Sequence, residues 1–270
     1  MNKAIRNLLL ISILIGFMTS CWEDTTFRDT LYPDQLIYMP AAYNKQQFVI
    51  NDINRIRGVH PTEGNPIKYV VDVAKNEFRV PLSAYRSGIN NDGAFVVDIK
   101  PNIAIIDSIN ESRQDSYELI PTDKYSLVSS VEMKDGEELA KFDLIVDLKF
   151  LLDNFPGKIF AMGIEISSDQ RETNPKLSTT AVIIYTRIVK PTANFTYSIN
   201  SSQAHQVNFS NSSLMSTAYV WDFGDGTAVT DETSPAHTYS SAGTYTVTLT
   251  AIGITGEQDK SIKTIEVIVP

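Results

Sequence analysis

The chain has 270 residues, 43% hydrophobic and 20% charged, with 23 Lys and Arg against 32 Asp and Glu for a formal net charge of -9. An acidic chain without a basic stripe excludes a nucleic-acid binder, whose phosphate contacts need clustered cations, and a single Cys excludes a disulfide framework or a thiolate metal cluster. The three His, at positions 60, 205 and 237, form no H-x-x-H pair, so neither a zinc-hydrolase metal site nor any cofactor is implied, while the length suggests two domains that each bury a core.

The amino terminus, MNKAIRNLLLISILIGFMTSC, opens on Lys3 and Arg6 and continues in an 11-residue uncharged run from Leu8 to Met18. This is a signal-peptide pattern over residues 1–20, and the run falls short of the roughly 20 apolar residues that span a bilayer. Met18-Thr19-Ser20-Cys21 resembles the bacterial lipobox, in which small residues precede a cysteine that is acylated and becomes the new amino terminus. Met18 stands where that family usually has Leu. The resemblance makes Cys21 the lipidation residue.

Cleavage before Cys21 removes Lys3 and Arg6, so the mature chain is more acidic than the precursor. Anionic headgroups repel such a body, and attachment then depends on acyl chains at about 0.8 kcal/mol per buried CH2. Trp22-Glu23-Asp24 is similar to the acidic signal by which Bacteroidetes lipoproteins reach the outer face of the outer membrane; the other reading is a solvated tether. The expected localisation is therefore the outer membrane, lipid-anchored and facing the exterior. Asp24-Thr25-Thr26, Asp29-Thr30-Leu31 and Asp107-Ser108-Ile109 also resemble the O-glycosylation triplet of that phylum.

Residues 21–33 hold no apolar periodicity and read as a lipidated tether, with order beginning near Leu36. From 34 to 189, short runs rich in Val, Ile, Phe and Tyr predict strands at 36–39, 48–50, 68–73, 77–80, 95–99, 125–127, 142–146, 159–166 and 181–185. Phe142, Leu144, Val146 and Leu148 alternate with Lys141, Asp143, Asp147 and Lys149 as in a strand with one wet face, broken only by Ile145. Short helical turns are expected at 103–109 and 150–155. The fold class is all-β, as two Ig-like β-sandwiches in tandem.

Leu36-Ile37-Tyr38-Met39-Pro40-Ala41-Ala42, Tyr117-Glu118-Leu119-Ile120-Pro121 with Tyr125-Ser126-Leu127, and Ile164-Glu165-Ile166-Ser167 resemble domain of unknown function 1735 of Bacteroidetes surface lipoproteins. That family implies a domain standing in front of glycan-binding or endoglycosidase-like modules in polysaccharide-uptake systems, with no catalytic residue to carry over. Lys190-Pro191-Thr192 marks a boundary, and residues 190–270 form a second unit. There Trp221-Asp222-Phe223-Gly224-Asp225-Gly226, then His237 and Tyr239 in Ser-Pro-Ala-His-Thr-Tyr, then Gly243-Thr244-Tyr245-Thr246-Val247-Thr248-Leu249-Thr250, resemble the PKD (polycystic kidney disease) domain. Gly224-Asp225-Gly226 reads as a tight hairpin turn, and Tyr219, Trp221, Phe223 with Tyr245, Val247, Leu249 read as the two inner faces of its core.

Asp222 and Asp225 make a carboxylate pair of the kind a hard cation takes, but the further acidic positions of a calcium loop are absent. Turn chemistry for Asp225, a solvent-facing Asp222 and a structural His237 are the preferred readings, and no metal is implied. Glu137-Glu138 and Asp143 with Asp147 are adjacent or alternate carboxylates, read as solvation of exposed strand faces, whereas a glycosidase needs two carboxylates across a cleft, an arrangement that spacing alone leaves open; nucleophile-elbow and phosphate-loop motifs are missing. The chain is therefore read as a non-enzyme.

Tyr43, Tyr85 and Tyr117, beside polar residues in expected loops, are the candidate ligand platform, flanked by Arg79 and Arg86. The expected function is glycan capture for a polysaccharide-uptake system, with the PKD domain as spacer or accessory binder. A TonB-dependent transporter and its paired lipoprotein are the expected partners, along with the membrane through the lipid anchor. The alternative is a structural or adhesive protein with a surface-protein ligand.

Overall fold

The computed structural model describes residues 35–53, 68–88, 90–114 and 116–270. The signal peptide, Cys21, the acidic tether, the triplets at 24–26 and 29–31, and His60 lie outside the described residues. The described chain is all-β, with strands packed in sandwiches and little helix.

In the first sandwich one sheet runs in the order β1 (Ile37–Tyr38), β4 (Glu77–Arg86), β9 (Leu139–Asp147), β7 (Tyr125–Leu127), with β3 (Val70–Asp72) also paired to β4. The facing sheet has the order β2 (Gln47–Ile50), β11 (Thr179–Tyr185), β10 (Ile159–Ser167), β5 (Phe95–Pro101), β8 (Ser130–Met133), with β6 (Glu118–Leu119) beside β10. Pairing is antiparallel except that β2 lies parallel to β11 and β6 parallel to β10.

Successive side chains of a strand point to opposite faces, and β4 obeys this without exception. Phe78, Val80, Leu82 and Ala84 go inward and meet Val146, Leu144, Phe142 and Ala140 of β9 across the ladder. Phe95, Val97 and Ile99 of β5, Phe160, Met162, Ile164 and Ile166 of β10, and Val182 and Ile184 of β11 close the core from the other sheet. Each large side chain so buried contributes about 1.5–3 kcal/mol.

β10 and β11 are apolar on both faces because helix α1 (Ile103–Glu111) covers their outer side, where Ile106 and Tyr117 pack on Ala161, Ala181 and Ile183. The side chain of Asn102 caps α1, accepting from Ile105 N at 3.2 Å. Residue 163 must be glycine for the helix to approach, since a Cβ there would sit 1.8 Å from the Asn102 carbonyl oxygen. Asp147 caps the second helix, α2 (Leu148–Asp153), accepting from Phe150 N at 3.0 Å.

In the second sandwich, β12 (Phe195–Ile199), β13 (Gln206–Asn211) and β15 (Ala236–Thr238) form one sheet. β14 (Ala218–Asp222), β16 (Gly243–Gly253) and β17 (Gly256–Val269) form the other. Two expectations change here. Trp221 lies opposite Leu249 on adjacent strands, so Tyr219, Trp221, Val247 and Leu249 line one inner face and not two. The opposing face comes from Phe195, Val207 and Phe209, with Tyr239 filling the end. Gly224 and Gly226 do adopt positive φ, 75° and 80°, but they do not make a tight turn between two strands of the sheet: the loop closes on a single antiparallel bridge, Trp221 and Thr230 exchanging backbone hydrogen bonds at 2.8 and 3.2 Å, after which the chain crosses to β15 in the other sheet.

The segment between the sandwiches is pinned to the second of them. Lys190 Nζ lies 3.5 Å from Asp259, Ala193 N donates to Ser261 Oγ at 3.0 Å, and Thr192 and Leu214 exchange backbone hydrogen bonds at 2.9 Å. Met215 and Ile254 of the second sandwich pack on the core of the first. At Gly253 an added Cβ would lie 2.7 Å from Pro191 Cδ, so the tip of the β16–β17 hairpin seats directly on the linker.

Trp221 is fully buried and its Nε1 donates to the Glu232 carbonyl at 2.9 Å. Trp221→Ala is expected to cost about 3–5 kcal/mol and to abolish cooperative unfolding of this sandwich. Calorimetry checks this; an unchanged second transition would refute the core assignment.

Candidate functional site

β1 is only two residues long, yet it is tied on both sides. Tyr38 pairs with Tyr85 of β4, and Ser87 N donates to Leu36 O at 2.8 Å. On its other edge, Ile37 N donates to Glu172 O at 2.9 Å, Asn174 N to Ile37 O at 2.9 Å, and Met39 N to Leu177 O at 2.8 Å. The alternation that sends Ile37 and Met39 into the core turns Tyr38 outward.

Three tyrosines meet on that outer side. Tyr38 stacks on Tyr85 with ring centroids 5.8 Å apart, and Tyr43, just past the 3-10 turn Pro40–Ala42, meets Tyr38 edge-on at 5.8 Å. Burial, then the hydrogen bond with Tyr43 and the charges of Tyr43, Tyr85 and Glu138, push the Tyr38 phenol up to about 12. Tyr38 and Tyr85 are half-buried, whereas Tyr43 keeps 64% of its surface exposed. The result is a presented aromatic edge on a braced base.

Beside Tyr43 lies an open groove of about 590 Å³, with Lys45 and Gln46 on one side and Pro175, Lys176 and Leu177 on the other. Both walls are pinned. Ala181 N of β11 donates to Gln46 O at 2.7 Å, Thr180 Oγ1 donates to Ala41 O at 3.0 Å, and the 172–177 segment is laced to β1. Such second-layer bonding preorganises the surface for a ligand.

The candidate residues read from sequence are divided by this geometry. Tyr43 and Tyr85 come together, although Tyr85 lies in β4 and not in a loop. Tyr117 is buried against α1, with the Arg113 guanidinium 4.2 Å over its ring and its backbone N–H held by Asn110 Oδ1 at 2.8 Å, so it belongs to packing and not to a platform.

Arg86 is 3% exposed, and its guanidinium donates to the carbonyls of Asn91, Asp92, Gly93 and Lys134 at 2.5–3.1 Å while lying 5.1 Å over Phe95. It is a pin between loops and faces no ligand. Arg79 shares the outer face of Tyr85 but stands six residues away along β4, about 20 Å at strand rise. It is engaged by Glu77 at 2.7 Å and Asp143 at 3.6 Å.

Tyr38, Lys45, Gln46 and Lys176 were not singled out from sequence. The density of polar and aromatic residues in Tyr43-Asn44-Lys45-Gln46-Gln47 was the available signal for the first wall. For Lys176, more than a hundred residues away, there was none.

The acidic residues have local duties. Asp143 faces Arg79, and Asp147 caps α2 while accepting from Asn76 Nδ2 at 2.8 Å. Burial pushes the Asp147 carboxyl up, but the hydrogen bonds from Phe150 and Asn76 with the charge of Lys124 outweigh it and hold the group below its ordinary value. Among the described residues, no group of three or more His, Cys, Asp and Glu is placed to hold a metal ion.

In the second sandwich the motif residues form one connected cluster. Asp222 accepts from Gly224 N at 2.9 Å, an Asx turn on an exposed side chain. Asp225 accepts from Thr227 Oγ1 at 2.6 Å and Thr227 N at 3.1 Å, and its other oxygen lies 2.7 Å from His237 Nε2. The His237 ring stacks on Phe223 at 4.0 Å and meets Tyr239 edge-on at 4.6 Å, and Tyr239 Oη donates to Phe223 O at 3.2 Å. A Cβ at residue 224 would lie 2.3 Å from Thr246 O, so Gly224 also permits the loop to close on β16. His237, which had no evident partner in sequence, is thus held by Asp225.

A family model described as an N-terminal domain matches residues 32–173, and the model of the PKD domain matches residues 188–269. Pre-pro-metalloprotease PrtV of Vibrio cholerae is 26% identical over 190 residues, covering 65% of this chain and 20% of that protein. The chain thus spans about a fifth of that curated relative. The crystal structure of the PKD1 domain of PrtV is 30% identical over 30% of this chain and 96% of its own, with a TM-score of 0.27. A multidomain protein including DUF1735 from Bacteroides ovatus is 8% identical, covering 70% of this chain and 62% of its own, with a TM-score of 0.35. An auxiliary nutrient binding protein from Bacteroides thetaiotaomicron is 15% identical, covering 77% of this chain and 67% of its own, with a TM-score of 0.33.

Burial pushes the Asp225 carboxyl up, but the bonds from Thr227 and His237 prevail and hold it below its ordinary 3.8. A carboxyl lowered in the folded state adds stability that is complete well above its unfolded value and is lost as pH falls through the folded one. Asp225→Asn is expected to destabilise the second sandwich at neutral pH and to flatten its loss of stability below about pH 4. Melting temperatures from pH 7 to pH 2 check this, and an unaltered acid limb would refute it.

Proposed function

For a chain that belongs to the family whose N-terminal domain spans residues 32–173, and that carries a PKD domain over residues 188–269, we propose the function of a non-catalytic surface lipoprotein that captures glycan for a polysaccharide-uptake system. The observation that carries this reading is the Tyr38–Tyr43–Tyr85 cluster beside a preorganised open groove. The C–H faces of sugar rings stack on an exposed aromatic while amide and ammonium groups meet their hydroxyls, and the Tyr43 ring with Gln46 and Lys45 offers that combination. An open groove with a single presented ring supports a modest affinity, with a dissociation constant between about 1 μM and 1 mM.

In this reading Cys21 carries the lipid, the acidic tether leads to the exterior face of the outer membrane, and a TonB-dependent transporter with its paired lipoprotein receives the glycan. The PKD domain holds the first sandwich at a defined attitude, a role supported by the contacts of Pro191, Met215, Gly253 and Ile254 at the junction. Lack of a metal cluster is no argument against hydrolysis. The non-catalytic reading is instead supported by the engagement of Asp143 and Asp147 in local ion pairing and capping.

A second reading, an adhesive protein with a protein ligand, is favoured by β17. This 14-residue strand ends its sheet and presents Ile262 and Ile268 at 58% and 68% exposure, features that suit strand-edge or face pairing. Protein capture that sugars do not compete would favour it.

The glycan reading is tested with the mature protein on a polysaccharide panel. Tyr43→Ala is expected to weaken binding at least about tenfold, with an unchanged melting temperature because the ring is largely exposed. No binding to any glycan by the folded protein would overturn it. The anchor has its own test: Cys21→Ala is expected to shift the chain from the membrane to the soluble fraction, and retention in the membrane would refute lipidation there.

A further inference from the structure

We propose that the groove beside Tyr43 selects anionic polysaccharides, whose sugar units bear carboxylate or sulfate groups. The inference rests on the reading of this groove as a glycan site and goes further by naming the class of glycan. Its lining includes two ammonium groups, Lys45 and Lys176, and no carboxylate. In a chain with 32 acidic against 23 basic residues, a groove whose charged lining groups are two lysines reverses the overall sign. Among the described residues no carboxylate forms an ion pair with either lysine, so both ammonium groups are open to an anion.

The backbone supplies an independent observation. Lys45 and Gln46 are successive residues in the left-handed region, with φ of 50° and 59°. That region disfavours side chains with a Cβ, and two such residues in a row persist only where the surroundings over-determine them. Gln46 N donating to Ala42 O at 2.9 Å, Gln47 N to Asn44 O at 2.9 Å and Ala181 N to Gln46 O at 2.7 Å provide that restraint. The arrangement places Lys45 in the groove lining together with Lys176 and Tyr43.

The neighbouring acidic groups lie outside the groove. Glu172 and Asp169 line the adjoining groove, which shares Pro175 and contains Arg171, and Glu138 acts on Tyr38 from the far end of the platform. An anionic polymer thus meets attraction within the groove and repulsion from the rest of the chain, which sets its register. Tyr43 supplies the stacking that neutral and acidic sugars share, and the lysines supply the discrimination. Since both ammonium groups are exposed, their attraction is screened by salt.

Binding of the mature protein to polygalacturonate, chondroitin sulfate and a neutral dextran, measured by calorimetry at low and high salt, tests the proposal. The acidic polymers are expected to bind, more weakly as salt rises, and their order identifies the preferred anionic group. Lys45→Gln with Lys176→Gln is expected to lower that affinity at least about tenfold and to remove the salt dependence, with unchanged melting. Equal binding of dextran and the acidic polymers, or a double variant that binds as the wild type does, would overturn the anionic selectivity while leaving glycan capture intact. If neither acidic polymer binds while a neutral glycan of the polysaccharide panel does, the selectivity is overturned and glycan capture stands; if no glycan of that panel binds either, both are overturned.

Discussion

The pleat of β4 is the constraint on which the first sandwich and its candidate site depend. A ten-residue strand that alternates without a bulge allows no independent choice for any of its side chains. Once Phe78, Val80, Leu82 and Ala84 are committed to the core, Glu77, Arg79, Pro81, Ser83 and Tyr85 must face outward. A slip of one residue against β9 would exchange the two sets, at the cost of most of the core, so the register is strongly specified. Tyr85 then fixes where Tyr38 stacks, and Tyr38 fixes where Tyr43 meets it. The platform is in this sense a consequence of core packing two strands deep.

The same rule separates neighbours in sequence. Tyr85 and Arg86 are adjacent and look like a single recognition element, yet one faces outward and the other is buried. A buried guanidinium needs acceptors for its donors, and the carbonyls of residues 91–93 accept from Nη1 and that of Lys134 from Nη2, while Nε is left without a hydrogen-bond partner. Burial lowers the Arg86 pKa, with Arg171 adding to the effect while Asp135 and Asp92 oppose it. Arg86 therefore organises the loops at one end of the sheet, and the charge that lines the site comes instead from Lys45 and Lys176, on segments far apart in the chain.

The second sandwich shows a similar economy. Its aromatic residues and its motif loop are one cluster: Phe223 carries the His237 ring, His237 holds Asp225, and Asp225 closes the loop through Thr227. Each member is short-range in space, but Asp225 and His237 are twelve residues apart and on opposite sides of a crossover between sheets. With Pro191 and Gly253 in close approach and Met215 and Ile254 on the neighbouring core, this sandwich is joined to the first by packed surface as well as by chain. A module attached in that way can hold its neighbour in a set orientation.

The fold class, most strands of the first sandwich, both short helices and the resemblances to the PKD and 1735-type domains are legible in the amino-acid sequence. These rest on local signals: period-two alternation, turn residues and contiguous motifs. The sequence also marks Tyr43 and Tyr85. The burial of Tyr117 and Arg86, the distance of Arg79 from the tyrosines and the crossing of the second sandwich's motif loop between sheets follow from packing between segments remote in the chain. Tyr38 and Lys176 join the site through pairings of β1 with β4 and with the 172–177 segment, and such pairings depend on partners remote in sequence. Alternation tells which residues share a face of one strand; which strands are neighbours is settled by the burial of the whole core.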